Sequence, residues 1–401
     1  MNVLRRTPAA AAVLILTLLV AACAAEGVPT ATPTQTPSAT PGETGEPATP
    51  TQEPSETPIA VPQVSWHPGN VPTAENNSSI IGIVPKPGGG YVAVGYDGVF
   101  GSIAWTSPDG VSWTEVPRPE GWESAGISRV MPFSGGLLAV GRDTGDIETD
   151  LAAAWISTDG TDWRRVEGGP DMQGQILDAV ETDDGRLIGV GGVPGADAAG
   201  IWISSDAGET WQRTDDVIDN AFIWSIAEGG PGFVAVGWRR DPQPTMAVWT
   251  SSDGESWALA PDPEDSLGFE GIDVVEDHGT LVMVGSLVQG GEGRIWTSTD
   301  GLAWDVADDS ADFTDVRFFS LAPAPFGLVT VGTRGMDATA FVSTDGGRTW
   351  STWGNQVSEA IFTTLLATPE GGYIVGGRTQ TGTLQTGING VALVWSAVAT
   401  R

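Results

Sequence analysis

One motif is written six times along this chain, and its spacing narrows the folds open to it. Ser-x-Asp, a Gly directly or one residue later, and a Trp three positions beyond that Gly run from Ser107 to Trp113, Ser157 to Trp163, Ser204 to Trp211, Ser251 to Trp257, Ser298 to Trp304 and Ser343 to Trp350, with a period of about 47 residues. A unit of that length cannot bury its own apolar face. It must stack on neighbouring copies.

Two further signatures keep the same period. Apolar-Val/Ile-x-Val-Gly ends at Gly95, Gly141, Gly191, Gly237, Gly285, Gly332 and Gly376, and its alternation reads as seven strands. An apolar residue followed by Trp precedes each turn, at Trp105, Trp155, Trp202, Trp249, Trp296 and Trp395, with Phe341 standing in once. No seventh turn precedes Arg401, yet Val64-Ser65-Trp66 repeats Val111-Ser112-Trp113. These patterns predict an all-β, seven-bladed β-propeller of four-stranded blades over residues 64–401, the last blade taking its outer strand from residues 64–71. Such closure removes open sheet edges.

The turns resemble the Asp-box, or BNR, repeats of sialidase-type propellers, over about residues 64 to 398. In that family the box lies between the third and fourth strands of each blade, away from the ligand face, so the resemblance implies a fold more than a function. The chemistry agrees. Asp109 and its equivalents can accept bonds from the turn's own backbone N–H groups, the Gly supplies a positive φ, and each Trp buries a large ring between blades. A metal array on these Asp residues is the competing reading; no metal site and no cofactor are expected.

The N-terminus carries Arg5-Arg6, an apolar run from Ala9 to Val20, then Val20-Ala21-Ala22-Cys23. Residues 1–22 read as a secretory signal, too short in its apolar stretch for a comfortable membrane span, and similar to a bacterial lipoprotein signal. That similarity implies lipidation of Cys23, the single cysteine of the chain. Residues 23–63, rich in Pro and Thr, have almost nothing to bury and read as a disordered tether, able to reach on the order of 120 Å if polyproline-like. The expected location is the extracytoplasmic face of the cell membrane, with the lipid anchor as the only membrane contact. Lys plus Arg number 18 against 51 Asp plus Glu, an anionic surface that repels phosphate backbones and argues against nucleic acid.

With strands lettered a to d in each blade, the loops after b and after d share the face on which propellers bind. Many acids gather there, among them Asp143, Asp146, Glu148, Asp150, Asp215, Asp216, Asp308, Asp309, Asp312 and Asp315. They form either an anionic mouth for cations and basic partners or solubilising loops. Of 17 Trp, thirteen fill the two repeat columns and leave Trp122, Trp224, Trp238 and Trp353. Trp122 and Trp238, on mouth loops, are candidates for stacking on a ligand; Trp224 and Trp353 suit packing between blades. Aligned on the following strand with slips in blades one and three, the inner strands give a column Gly82, Arg129, Asp178, Ser225, Asp273, Ser320 and Thr364. Arg129, Asp178 and Asp273 then form a hydrated structural ring or the floor of a pocket, with Arg142 on an adjoining loop.

A sialidase activity, as the resemblance implies it, needs three arginines on the sugar carboxylate, an Asp acid and a Tyr nucleophile polarised by a Glu. The chain departs from this pattern. Tyr91 and Tyr373 occupy core positions and only Tyr96 ends near the mouth, the Arg-Ile-Pro signature is absent, and Arg129, Arg142, Arg239, Arg334 and Arg378 are scattered over four blades. A pair of carboxylates about 5 Å apart could still hide among the acids. His67 and His278 give no Ser/His/Asp set, and with Cys23 they give no zinc site. Three readings stay open: a non-catalytic binding or scaffold lipoprotein, expected as a monomer that takes an envelope protein or glycan at the channel mouth; an assembly factor for an envelope complex; and a glycoside hydrolase or lyase.

Overall fold

Each run of apolar alternation forms a strand, and four consecutive strands make one antiparallel blade, from a at the central channel to d at the rim. Blade four is representative: a is Ala221–Gly229, b is Gly232–Arg240, c is Pro244–Ser251 and d is Ala258–Leu259. Seven such sheets form an all-β propeller, with seven clusters of apolar side chains packed within and between them. The computed structural model describes residues 61, 63–72, 77–98, 101–144, 150–168, 172–193, 197–214, 218–240, 243–307, 311–369, 371–380 and 390–398. The expected signal, Cys23 and nearly all of the tether lie outside the described residues.

The predicted closure is present. His67–Pro68 pairs antiparallel with Ala392–Val398, the c strand of blade seven, through His67 to Ser396 and Pro68 to Trp395. The same segment reaches blade one, where Asn70 N–H donates to Val111 O (2.8 Å) and Trp113 N–H to Asn70 O (3.0 Å). Trp66 seals the seam, edge-on to Trp353 (5.4 Å) and Phe362 (5.5 Å). Blade three departs from the plan: Glu167–Gly168 adds in parallel to its d strand, Thr210–Arg213, and Ile218–Asp219 pairs with its c strand, Ala198–Ser204.

The Ser-x-Asp turns act as expected. In blade four, Asp253 Oδ1 accepts from Glu255 N–H (2.8 Å) and Ser256 N–H (2.9 Å), while Ser251 Oγ accepts from Gly254 N–H (2.8 Å). The backbone bonds hold the carboxyls of Asp109, Asp159, Asp253 and Asp300 below the usual range, Asp159 at about 2. Glycine supplies the positive φ, 76° at Gly254.

The Val-Gly signature has a cause the alternation alone does not reveal. Every a strand carries a β-bulge at the same place, between Ile80/Gly82, Ile127/Arg129, Ile176/Asp178, Ile223/Ser225, Gly271/Asp273, Phe318/Ser320 and Phe362/Thr364. The bulge drives a carbonyl of strand a toward strand b. A Cβ on the facing residue would stand 2.0 Å from Ser79 O at Gly95, 1.9 Å from Phe222 O at Gly237 and 1.9 Å from Ile361 O at Gly377. The glycine of blade seven is therefore Gly377, which pairs with Phe362, and not Gly376, which pairs with Thr364. The one-residue slip expected in blades one and three occurs in blade seven too, because its a–b turn is longer.

Candidate functional site at the channel mouth

The residue after each bulge is the polar column read from the sequence, and the structure joins much of it into a belt. Strand a is the inner edge of its blade, so backbone N–H groups on its channel side have no ladder partner, and the neighbouring blade's side chain takes one. Asp178 Oδ2 accepts from Ile226 N–H of the next blade (3.1 Å), and Asp273 Oδ2 from Leu321 N–H (2.8 Å). Ser225 Oγ lies 2.8 Å from Asp178 Oδ2 and 2.9 Å from Asp273 Oδ1, and Arg129 Nε lies 3.1 Å from Asp178 Oδ1. Five consecutive blades are tied around the channel in this way. Gly82 has no side chain to contribute, and a Cβ there would meet Val130 at 2.8 Å.

The belt separates the predicted site residues. Asp178 and Asp273 are buried and committed to their neighbours, so they support the channel rather than line it. Arg129 differs: 38% of its side chain is accessible, and its ion pair runs through Nε, which leaves the terminal nitrogens without a hydrogen bond among the described residues. The charge of Asp178 raises the Arg129 pKa further, and burial raises that of Asp273 against the pull of Arg129.

One ladder step nearer the mouth, three residues before the belt, stands a second column: Ser79, Gly126, Gln175, Phe222, Glu270, Arg317 and Ile361. It was not singled out in the sequence, although counting back from Arg129 and its equivalents would have found it. Glu270 is buried, and Arg317 pairs with it at 3.2 Å. Burial raises the Glu270 carboxyl above its ordinary value, with Arg317 opposing; the Trp224 indole N–H is buried beside it without a hydrogen bond of normal geometry. Phe222 lies edge-on to Trp224 (4.7 Å) and parallel to Trp238 (6.3 Å, 10°), with Arg240 over the Trp238 ring at 5.4 Å. Trp224 and Phe319 are half-exposed bulge residues, so an aromatic crescent borders the mouth at blades four to six.

Other expectations are corrected. Trp122 does not reach the mouth: it is fully buried against Trp163 (5.6 Å) and Trp155 (6.3 Å), where a loop residue outside the repeat fills space between blades. Trp353 is core, as expected. Arg142 is at the rim, held by Asp150 at 3.0 Å. The described mouth acids are largely matched to arginines rather than forming a bare anionic ring. Asp143 pairs with Arg165 (2.9 Å), Asp262 with Arg239 (2.8 Å) and Asp312 with Arg334 (3.7 Å). Asp146, Glu148, Asp215, Asp216, Asp308 and Asp309 lie outside the described residues. Tyr96 is at the mouth, where its hydroxyl accepts from Arg378 (2.9 Å), while Tyr91 and Tyr373 are buried, the latter pushed up to about 12 by burial. A cleft of about 220 Å³ between blades five and six is separate from the channel; its Arg294 is held by Glu292 and Asp265. Among the described residues no group of three or more His, Cys, Asp or Glu is placed to hold a metal.

A β-propeller with a closed last blade and a polar belt around its channel is the class this architecture defines. No known protein family matches the chain, and no curated protein matches it in sequence. Solved structures do match in fold. An ulvan lyase from a new family of polysaccharide lyases aligns at a TM-score of 0.53 and 11% identity, covering 76% of this chain and 89% of that one. A putative 6-phosphogluconolactonase from Bacteroides uniformis aligns at 0.52 and 10% identity, covering 78% and 94%. The Trypanosoma rangeli sialidase is more distant, at a TM-score of 0.45 and 12% identity over 71% of this chain and 55% of that one. At such identities the likeness is one of fold.

Proposed function

We propose that this chain is an Asp-box propeller, lipid-anchored outside the cytoplasm, that binds an envelope glycan or protein at the channel mouth and does no chemistry on it. The observation that carries this reading is Arg129, a cation held in the channel with its terminal nitrogens accessible, below an aromatic crescent the repeat does not require. Charge-assisted bonds from an arginine are worth roughly 1.5 to 3 kcal/mol. Arg129→Ala should therefore weaken an anionic ligand about tenfold or more in titration, with Trp238 contributing stacking and Arg142 acting from the rim. Asp253→Ala, which loses two turn bonds on the opposite face, should cost about 1 kcal/mol of stability and spare binding. Lost binding in folded Asp253→Ala beside intact binding in Arg129→Ala would overturn the placement.

The anchor has its own test. If Cys23 is lipidated, Cys23→Ser leaves the protein in the medium or uncleaved; a processed variant that still partitions into detergent as the parent does would remove the anchor from the proposal. A hydrolase is the second reading, favoured by Glu270, a buried carboxyl of raised pKa bordering the aromatic mouth. Turnover of a fluorogenic glycoside panel, lost in Glu270→Gln, would put that reading in place of binding alone.

A further inference from the structure

Ser225 is short of a proton. Its hydroxyl has one hydrogen, yet its oxygen lies 2.8 Å from a carboxylate oxygen of Asp178 and 2.9 Å from one of Asp273, both ordinary lengths for an O–H···O bond. Two such contacts need two protons. Were both carboxyls ionised, the hydrogen nearest the Ser225–Asp273 contact would be that of Val274 N–H, which donates to Asp273 Oδ1 (3.1 Å) and reaches Ser225 Oγ only at 3.4 Å, too long to stand in for an O–H between the two oxygens.

The surroundings decide which carboxyl carries the second proton. Asp178 has the Arg129 guanidinium at 3.1 Å and accepts from Ala179 N–H (2.9 Å) and Ile226 N–H (3.1 Å). Asp273 accepts from Val274 N–H (3.1 Å) and Leu321 N–H (2.8 Å), but among the described residues no cation is paired with it. Among the elements packed against its strand, Phe269–Asp277, the charged groups are few. The strand itself bears Glu270, Glu276 and Asp277; the a strands of blades four and six bear Glu228 and Arg317; the b strand of blade four bears Arg239 and Arg240; its c strand and the b strand of blade five bear none. Arg129 and Asp178 are the charges that act on Asp273, and burial outweighs Arg129 and the backbone bonds.

We propose that Asp273 and Ser225 hold a proton in the channel wall, and that this proton keeps Arg129 available to an anion. Asp273 donates it to Ser225 Oγ, and Ser225 donates its own to Asp178. With the proton in place, Arg129, Asp178 and Asp273 sum to zero charge. Without it the cluster is negative, and an anion is repelled from the channel. The second clause rests on the reading of Arg129 as the ligand contact; the proton itself does not.

The test uses the full chain and inorganic sulfate, whose charge is constant across the neutral range. Difference infrared spectra of parent against Asp273→Asn should show the C=O stretch of a protonated carboxyl in the parent only. Should that variant fold poorly, Ser225→Ala should shift the band rather than remove it. Sulfate affinity of the parent should be flat on the acid side and fall about tenfold per pH unit above the folded-state pKa of Asp273. Asparagine supplies the same donor to Ser225 and cannot ionise, so Asp273→Asn should stay flat throughout. The sign for stability is the same: with the folded pKa raised, the stabilisation is full below the unfolded value and is lost as pH rises through the folded one. An unchanged carboxyl band in Asp273→Asn, or a pH slope that persists in it, overturns the proposal. A band that disappears with no sulfate binding to the parent at any pH leaves the proton site standing and removes Arg129 as the ligand contact.

Discussion

Deleting residues 24–72 should lower the stability of the propeller by several kcal/mol, whereas deleting residues 24–60 should leave thermal unfolding nearly unchanged. The longer deletion removes the strand that, among the described residues, pairs with the outer edge of Ala392–Val398, and the bridge from blade seven to blade one. It also removes Trp66, buried among Trp353 and Phe362. Truncating one large buried aromatic costs roughly 3 to 5 kcal/mol by itself, and the opened ring adds unpaired strand edges. The shorter deletion stops outside the packed strands. Melting curves of the two purified variants decide the matter, and equal midpoints would refute the seam.

Gly237→Ala, with Gly377→Ala, is the most damaging single methyl group expected among the described glycines. Its Cβ would lie 1.9 Å from the Phe222 carbonyl oxygen, a backbone atom fixed by the bulge and unable to retreat. Relief requires the bulge to open, and with it the adjoining link from Ser225 to its neighbours, so the loss should be roughly 3 kcal/mol or more. Glycines elsewhere grade the effect. Gly285→Ala, at 2.6 Å from Glu270 O, should cost less, and Gly126→Ala, which meets only the Arg142 side chain at 3.2 Å, should be close to neutral. Denaturant midpoints out of that order would mean that the glycine column has another cause.

The mouth was only half legible in the sequence. Arg129 stood out as the one cation in a column otherwise small, polar or acidic, and subtraction of the repeat positions found Trp238. It failed for Trp122, because a residue outside a repeat can still fill space between blades, and a buried ring leaves no mark that separates it from an exposed one. Glu270 and Arg317 were missed because each sits on a different strand and neither is unusual alone; their partnership exists only once blades five and six are side by side.

The sequence by itself determined the blade count, the turns and the closing strand, since each follows from periodic local chemistry: an Asp that caps its own turn, a Gly where no Cβ fits, and apolar strands. That the b strands are buried on both faces, and not at every second side chain as their alternation suggested, follows from the stacking of blades on either side. Tertiary structure alone decided what the polar column does. Whether Asp178 and Asp273 face water or a neighbouring blade depends on the unpaired N–H groups of the inner edge strands and on the approach of strands 48 residues apart in sequence. A carboxylate's partners, and hence its charge, are set by that approach rather than by the residues beside it in the chain.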